Sequence, residues 1–144
     1  QNPEQWDRLK AEPELVPSAV DEMIRWVSPV KHFFRTATDD YVLRGKTIRA
    51  GDSLMLSFPS ANRDEDVFDD PFKFRIDRKP NRHLAFGFGA HVCLGMYLAR
   101  LELQTLFRKL LAKVKRFELN GEPRWVQTSF VGGLKALPVR VQVE

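Results

Sequence analysis

The sequence predicts a mainly α-helical fold with small antiparallel β-sheets, an α+β arrangement. Apolar residues recur at helical spacing near the start and in the last third of the chain, and short β-type segments lie between these stretches. The 144 residues are 43% hydrophobic and 29% charged, which is the composition of a folded rather than a disordered chain. We therefore expect residues 1–144 to belong to one domain.

Two helices are predicted before residue 30. Asn2 and Pro3 have the pattern of a helix cap followed by a first-turn proline, so a helix is expected through about residue 10. The prolines at positions 13 and 17 should interrupt it. Ser18 and Asp21 then have capping-box spacing and begin a second helix over 18–27, whose apolar residues indicate one buried face.

A small antiparallel sheet is predicted between residues 32 and 59. The β-type segments there are separated by turn residues and lie at 33–38, 41–43, 47–48 and 53–58. Residues 60–85 combine prolines, an acidic cluster and isolated aromatic residues without either period, which indicates a long coil packed against the fold.

The strongest helix is predicted from Leu94 to about Lys115. Its apolar face is expected at the leucines that keep near-helical spacing, which are Leu94, Leu98, Leu101, Leu106 and Leu110. Residues 124–144 have β character around a turn at Gly132 and Gly133.

Composition excludes several classes of function. The single cysteine, Cys93, excludes an internal disulfide framework and a multi-cysteine zinc site. The net charge of +4 permits an acidic partner, but no basic stripe with a reading motif accompanies it, so we expect no nucleic-acid partner. No apolar run approaches the roughly 20 residues of a membrane span, and a cytoplasmic location is expected.

The segment 86–95 carries the chemistry. Cys93 precedes a predicted helix, where the positive end of the helix dipole favours a thiolate. The glycines of this loop let the backbone approach a flat group closely. Two other interpretations stay open on these residues alone: an inert buried thiol, or an anion-binding turn, although Val92 stands where the dinucleotide pattern requires a glycine.

The pattern of this loop resembles the haem-binding signature of the cytochromes P-450. The matching residues are Phe86, Gly87, Gly89, His91, Cys93, Leu94 and Gly95. Glu22 and Arg25 also resemble the E-x-x-R helix motif of that family, and Arg78 falls where the third member of its Glu-Arg-Arg network belongs. Segment 62–71 looks like the irregular meander of the family.

The resemblance implies haem b as cofactor, with Cys93 as the axial thiolate ligand of the iron. It implies that Phe86 packs beside this ligand, with Gly87 and Gly95 in the same cofactor-binding loop. His91 and Arg35 fall at positions that bind the haem propionates, with His83 as a further candidate. Glu22, Arg25 and Arg78 are implied to be structural residues that hold the meander below the haem.

The resemblance also implies a substrate pocket and a redox partner. Val30 and Phe33, with Phe130 and Val131, match segments that line the pocket, although plain core packing would place them similarly. The implied enzyme inserts one oxygen atom of O2 into a small hydrophobic substrate, with a sterol or isoprenoid lipid as the expected class, and takes electrons from NAD(P)H through a ferredoxin-type partner. A partner would meet a basic cluster, Arg108, Lys109, Lys113, Lys115 and Arg116, which could equally be a solvated helix end.

The implied fold is the C-terminal portion of the cytochrome P-450 fold, without the long distal helix and its acid and alcohol side chains. We expect a fragment of a haem-thiolate monooxygenase that is inactive alone. The alternatives are a non-catalytic haem-binding module, a truncated remnant, or a non-haem domain whose loop binds an anion.

Overall fold

The computed structural model describes residues 2–143, which form four α-helices and eight short β-strands. The helices are α1 (Pro3–Ala11), α2 (Val16–Val27), α3 (Phe58–Ala61) and α4 (Met96–Leu111). The strands are β1 (His32–Thr36), β2 (Tyr41–Leu43), β3 (Lys46–Ile48), β4 (Ser53–Ser57), β5 (Val114–Leu119), β6 (Arg124–Trp125), β7 (Leu134–Ala136) and β8 (Val139–Val143). The predicted α+β class is confirmed.

The hydrophobic core lies between α1, α2, α4 and the coil that follows α3. Its fully buried members are Leu9, Val16, Ala19, Val20, Ile24, Ile76 and Ala85. From α4, Leu103, Phe107 and Leu111 pack against them. This i, i+4, i+8 spacing places the three side chains on one helix face, which is the face that α4 turns toward the core.

Four of the five leucines predicted to form the buried face of this helix are exposed, whereas Leu110 is half-buried. Leu94 is 100% exposed, Leu98 59% and Leu101 62%. The prediction was wrong because the region carries two apolar faces, and periodicity alone does not say which of them meets α2. The leucine face therefore forms an open apolar surface on the described part of the chain.

The capping of the first two helices differs from expectation. Helix α1 matches, but its cap residue Asn2 makes no side-chain hydrogen bond. Helix α2 starts at Val16 and includes Pro17 in its first turn, where a missing N–H is harmless. The predicted capping box is absent, because the Ser18 hydroxyl donates to a carbonyl in the preceding turn and Asp21 bonds to α4.

Helix α4 is shorter than predicted, and the residues after it form a strand. It begins at Met96 and ends at Leu111, and β5 then pairs antiparallel with β8. The predicted helix extends over the first two residues of β5, because the residues that pair with this strand lie 20 to 29 positions further on, which local periodicity does not reveal. The basic residues after position 113 therefore lie on a strand.

The strands form separate two-stranded antiparallel sheets rather than one sheet. The pairs are β1 with β4, β2 with β3, β5 with β8, and β6 with β7. Between α3 and the turn at 89–91 the chain has neither helix nor strand, as predicted. Within residues 2–143, no helix is long and apolar enough to cross a membrane.

Candidate functional site

A cavity of about 670 Å³ lies between the β1–β4 sheet and the loop that carries Cys93. It is lined by Pro29, Val30, Phe33, Arg35, Leu56, Phe58, Ala85, Phe86, Gly87, Phe88, His91 and Cys93. Its walls are mostly apolar, and its volume is within the range of cofactor and ligand sites. The cavity therefore brings together predicted site residues from two distant segments of the chain, around β1 and in the Cys93 loop.

The loop 86–95 holds Cys93 through its own backbone. The N–H of Cys93 donates to the Phe86 carbonyl oxygen at 2.8 Å, and the Cys93 carbonyl accepts the first N–H of α4 at 3.2 Å. Gly87 has φ +75°, and a Cβ there would lie 3.2 Å from the His91 carbonyl oxygen, so this tight turn requires glycine. Cys93 is a free thiol and is exposed at the cavity wall.

Gly95 occupies the cap position of α4 and does not line the cavity. A Cβ added there would lie 4.0 Å from the Cys93 sulfur, which is an ordinary contact. The absence of a side chain leaves the sulfur uncovered on this side.

Strand β1 supplies the opposite wall. Because side chains alternate along a strand, Phe33 and Arg35 share one face, and both line the cavity. Leu56 stands opposite Phe33 in β4 and lines the cavity as well. The Arg35 guanidinium lies 6.0 Å from the Phe33 ring centroid and donates to the Phe34 carbonyl oxygen at 2.8 Å.

The second predicted lining segment lies behind this wall. Val131 forms an isolated antiparallel bridge with Val30, and the N–H of Lys31 donates to the Phe130 carbonyl oxygen at 2.9 Å. The rings of Phe130 and Phe33 meet edge to face, with centroids 5.4 Å apart. Val30 and Phe33 thus line the cavity, whereas Phe130 and Val131 contact Phe33 and Val30 and are not among its lining residues.

Below the site, Glu22 lies between two buried arginines. Arg25 donates to it through Nε at 2.7 Å and Nη2 at 2.8 Å, which is a bidentate pair. Arg78 Nε approaches both oxygens of the same carboxylate, at 3.1 and 3.2 Å. The three side chains are almost completely inaccessible to solvent. One buried carboxylate thus joins α2 to the coil.

The remaining guanidinium N–H groups hold the backbone of the coil. Arg25 donates to the carbonyl oxygens of residues 62 and 71, and Arg78 donates to those of residues 69, 70 and 73. The side chain of Asn62 continues the network by accepting the N–H of Leu84 at 2.6 Å. This network fixes the segment that leads into the Cys93 loop.

The structure separates His83 from the other propionate candidates. His91 and Arg35 line the cavity, but the ring of His83 is almost fully buried beside Asp21 and Phe86. Its Nε2 lies 3.5 Å from Asp21 Oδ1. The His83 ring thus contacts Asp21 of α2 and is not among the residues that line the cavity.

The chemistry of the donor set fits a flat iron-bearing cofactor with acidic side chains. Cys93 offers a sulfur donor, Arg35 and His91 offer nitrogen donors for carboxylates, and the apolar side chains between them offer surfaces for a macrocycle. The cavity could therefore hold such a cofactor, and Cys93 is the lining residue that offers a sulfur ligand.

Comparison with known proteins gives the family. The family model described as cytochrome P450 matches residues 3–141. "Cytochrome P450-terp" of Pseudomonas sp is 56% identical over 139 residues, covering 96% of this chain and 32% of the relative. "Steroid C26-monooxygenase" of Mycolicibacterium smegmatis is 49% identical over 138 residues, covering 94% of this chain and 34% of the relative.

A solved structure agrees with these relatives. The crystal structure of CYP108D1 from Novosphingobium aromaticivorans matches with a TM-score of 0.91 and 50% identity, covering 99% of this chain and 34% of that one. The chain belongs to the cytochrome P450 family, whose cofactor is haem b. It spans about a third of the length of the curated relatives it matches.

Several residues of the site were not anticipated. Leu56 and Phe58 line the cavity because β4, which leads into Phe58, pairs with β1. If the pairing of β4 with β1 were known, the alternation of side chains along β4 would predict that Leu56 lies beside Phe33. Asp21 and Arg100 were also missed. Their contact depends on how α2 crosses α4, for which the sequence holds no local signal.

Proposed function

We propose that this chain binds haem b with the Cys93 sulfur as axial iron ligand, as the ligand-bearing part of a cytoplasmic haem-dependent monooxygenase. The observation that carries the proposal is that Cys93, Arg35 and His91 all line one apolar cavity. When bound, the haem supplies activation of O2 and insertion of one oxygen atom into a hydrophobic substrate.

The residues of the chain bind and orient the cofactor. Cys93 would bind the iron as a thiolate and supply electron density to it. Arg35 of β1 and His91 of the Cys93 loop would hold the propionates. Phe86 and Phe33 would enclose the macrocycle and exclude water, and Gly87 permits the turn that brings the sulfur to the wall.

The alternative of an anion-binding loop receives less support from the hydrogen bonds of the loop. An anion site at a turn needs backbone N–H groups that point outward. The N–H groups of Gly87, Val92 and Cys93 instead donate to carbonyl oxygens within the loop and its lead-in. The apolar lining beside them also favours a flat organic cofactor over a hydrated anion.

Substitution Cys93→Ser tests the ligand assignment. The haem-loaded protein should show the red-shifted Soret band of a thiolate-ligated, reduced CO complex, and Cys93→Ser should abolish it because a hydroxyl is a far weaker iron ligand. Thr105→Ala, an exposed change on α4, serves as control and should leave the band unchanged. Retention of the band in Cys93→Ser would refute the assignment.

Oxygen chemistry needs a separate measurement. In a chimaera that joins the upstream part of the Pseudomonas relative to this chain, we expect substrate-dependent NAD(P)H oxidation when a reductase and a ferredoxin are present. A thiolate-type spectrum without such oxidation would favour a haem-binding module that lacks oxygen chemistry.

We propose a sterol side chain or another isoprenoid lipid as substrate class. The support is the relative named steroid C26-monooxygenase and the apolar residues Val30 and Phe33 at the cavity wall. Titration of the haem-loaded chimaera with a sterol should change the Soret band, and a matched sterol without the branched side chain should bind more weakly. Equal responses would contradict this class.

For the electron donor we propose an acidic ferredoxin at the basic cluster of residues 108–116. Its five cationic side chains are all exposed, at the end of α4 and the start of β5. At about 1.5 Å per residue, the cluster begins roughly 20 Å from the start of α4, measured along the helix axis. A partner docked at the cluster therefore has to extend along α4 to reach the Cys93 loop. Electrostatic docking predicts that reduction by ferredoxin slows as ionic strength rises. Independence from salt would exclude this surface.

A further inference from the structure

A second charged cluster, separate from the Glu22 network, lies behind the Cys93 loop. Asp21 of α2 accepts a hydrogen bond from Arg100 Nε of α4 at 2.7 Å, and its other neighbour is the His83 ring. Three separate segments of the chain therefore meet at one carboxylate.

Both partners of Asp21 rest on the same aromatic ring. The Arg100 guanidinium lies 5.0 Å from the Phe86 ring centroid, within the range of a cation–π contact. The His83 ring lies 5.8 Å from Phe86, tilted by 51°. Phe86 thus has a cation and an imidazole against it, and Asp21 holds both.

Phe86 is also the residue that fixes Cys93. Its carbonyl oxygen accepts the Cys93 N–H at 2.8 Å, and both residues line the cavity. A displacement of Phe86 would therefore move the hydrogen-bond acceptor of the cysteine. The contacts run in sequence from Asp21 through Arg100 and Phe86 to Cys93.

The Asp21 carboxyl group favours its ionised form in this position. Burial opposes its ionisation, but hydrogen bonds from His83 and Arg100 outweigh burial and hold the pKa of Asp21 below its usual value. The carboxylate occupies Arg100 Nε, which leaves the flat face of the guanidinium against the ring. An arginine without this partner has many more rotamers available.

We propose that Asp21, with Arg100 and His83, is a positioning cluster that holds Phe86 and so sets the environment of the Cys93 sulfur. The proposal rests on the proposed role of Cys93 as iron ligand. Groups that orient a metal ligand tune the metal even though they do not contact it. The cluster therefore contributes to the reduction potential of the iron, and not only to the packing of α2 on α4.

The test compares midpoint potentials of the haem-loaded protein. Asp21→Asn should shift the potential and weaken the thiolate-type band of the reduced CO complex. Asp77→Asn is the matched control, because Asp77 bonds Arg8 at 3.0 Å with similar exposure and no contact with Phe86. We expect no shift from the control. Arg100→Lys keeps the charge but loses the planar guanidinium group, so it should shift the potential too. It replaces Asp21→Asn in the test if the Asp21→Asn protein does not fold.

A double-mutant cycle separates positioning from a merely structural role. If Asp21 acts through Phe86, the shift caused by Asp21→Asn should disappear in a Phe86→Leu background, whereas its effect on unfolding should remain. A shift that persists without Phe86, an equal shift in Asp77→Asn, or no shift at all would overturn the proposal. Absence of the thiolate band in the unsubstituted protein would instead overturn the proposed function, and this proposal with it.

Discussion

Glu22 is a single carboxylate between two buried guanidinium groups, so its side chain and those of Arg25 and Arg78 leave a net positive charge in the interior. The carbonyl oxygens of the coil compensate for that charge, because they accept the guanidinium N–H groups that Glu22 does not use. Phe68 adds its ring face at 5.3 Å from Arg25 and 6.0 Å from Arg78. The network is balanced only while the carboxylate is present.

Substitution Glu22→Gln should destabilise the protein by about 3–5 kcal/mol, because it leaves two buried cations without their anion. Urea unfolding followed by circular dichroism measures this loss. Asp66→Ala provides the comparison, since the Arg44–Asp66 pair is strongly exposed and should contribute at most about 1 kcal/mol. Similar losses in the two variants would show that the buried network does not carry the expected energy.

The lowered pKa values of two carboxyl groups, those of Asp77 and Asp21, predict how the stability of the protein depends on pH. Hydrogen bonds hold the pKa of Asp77 below its usual value through Arg8, and they do the same for Asp21 against the opposing effect of burial. A lowered pKa in the folded state stabilises the protein above the unfolded value of about 3.9, and this stabilisation is lost as pH falls through the folded value.

Acid unfolding should therefore be shallower in the double variant Asp21→Asn, Asp77→Asn than in the unsubstituted protein. The free energy of unfolding, measured between about pH 6 and pH 2, checks this expectation. An unchanged slope would mean that the two carboxylates titrate alike in the folded and unfolded states.

At the scale of elements, local patterns predicted most of the helices and strands but not their partners. Helix α1 and strands β1 to β4 follow from spacing and turn residues within each segment. Strand β5 and the inner face of α4 depend on contacts with β8 and α2, which lie far away in sequence. The features of the site also divide into local ones, which the sequence predicts, and long-range ones, which it does not. The Cys93 loop is a local motif, whereas the contact of Asp21 with Arg100 arises only when two helices pack.

The two faces of α4 should respond differently to truncation. Leu103→Ala should cost about 2 kcal/mol, the lower end for a leucine because its side chain is only partly buried. Leu101→Ala should change stability by no more than about 0.5 kcal/mol, because its side chain is exposed. Denaturant unfolding of the two variants provides the comparison, and a larger loss for Leu101 would indicate that the outer face is covered.

At the scale of the whole molecule, the outer face of α4 and the residues just before it form an exposed apolar surface next to the Cys93 loop. Leu94, Tyr97, Leu98 and Leu101 share this face and are all more than half exposed. Exposed apolar patches of this kind mark contact surfaces or cause association. We therefore expect this face to bind other apolar surfaces.

Sedimentation of the 144-residue chain should reveal association that increases with concentration. The double variant Leu98→Glu, Leu101→Glu should reduce it, because charge on this face opposes contact. Thr38→Glu with Thr47→Glu adds the same charge at exposed positions elsewhere and should have a smaller effect. Equal effects of the two double variants would point to net charge rather than to the helix face.

Because Arg25 and Arg78 bind the backbone of the coil, the side chains of the coil are not needed for this contact. Both arginines recognise main-chain oxygen atoms of residues 62 to 73, which every amino acid possesses. Exchange of the exposed side chains at positions such as 69 and 73 leaves those oxygens in place. We therefore expect substitutions at exposed positions of the coil to leave the path of the backbone toward the cysteine unchanged, and substitutions of Glu22, Arg25 or Arg78 to disturb it.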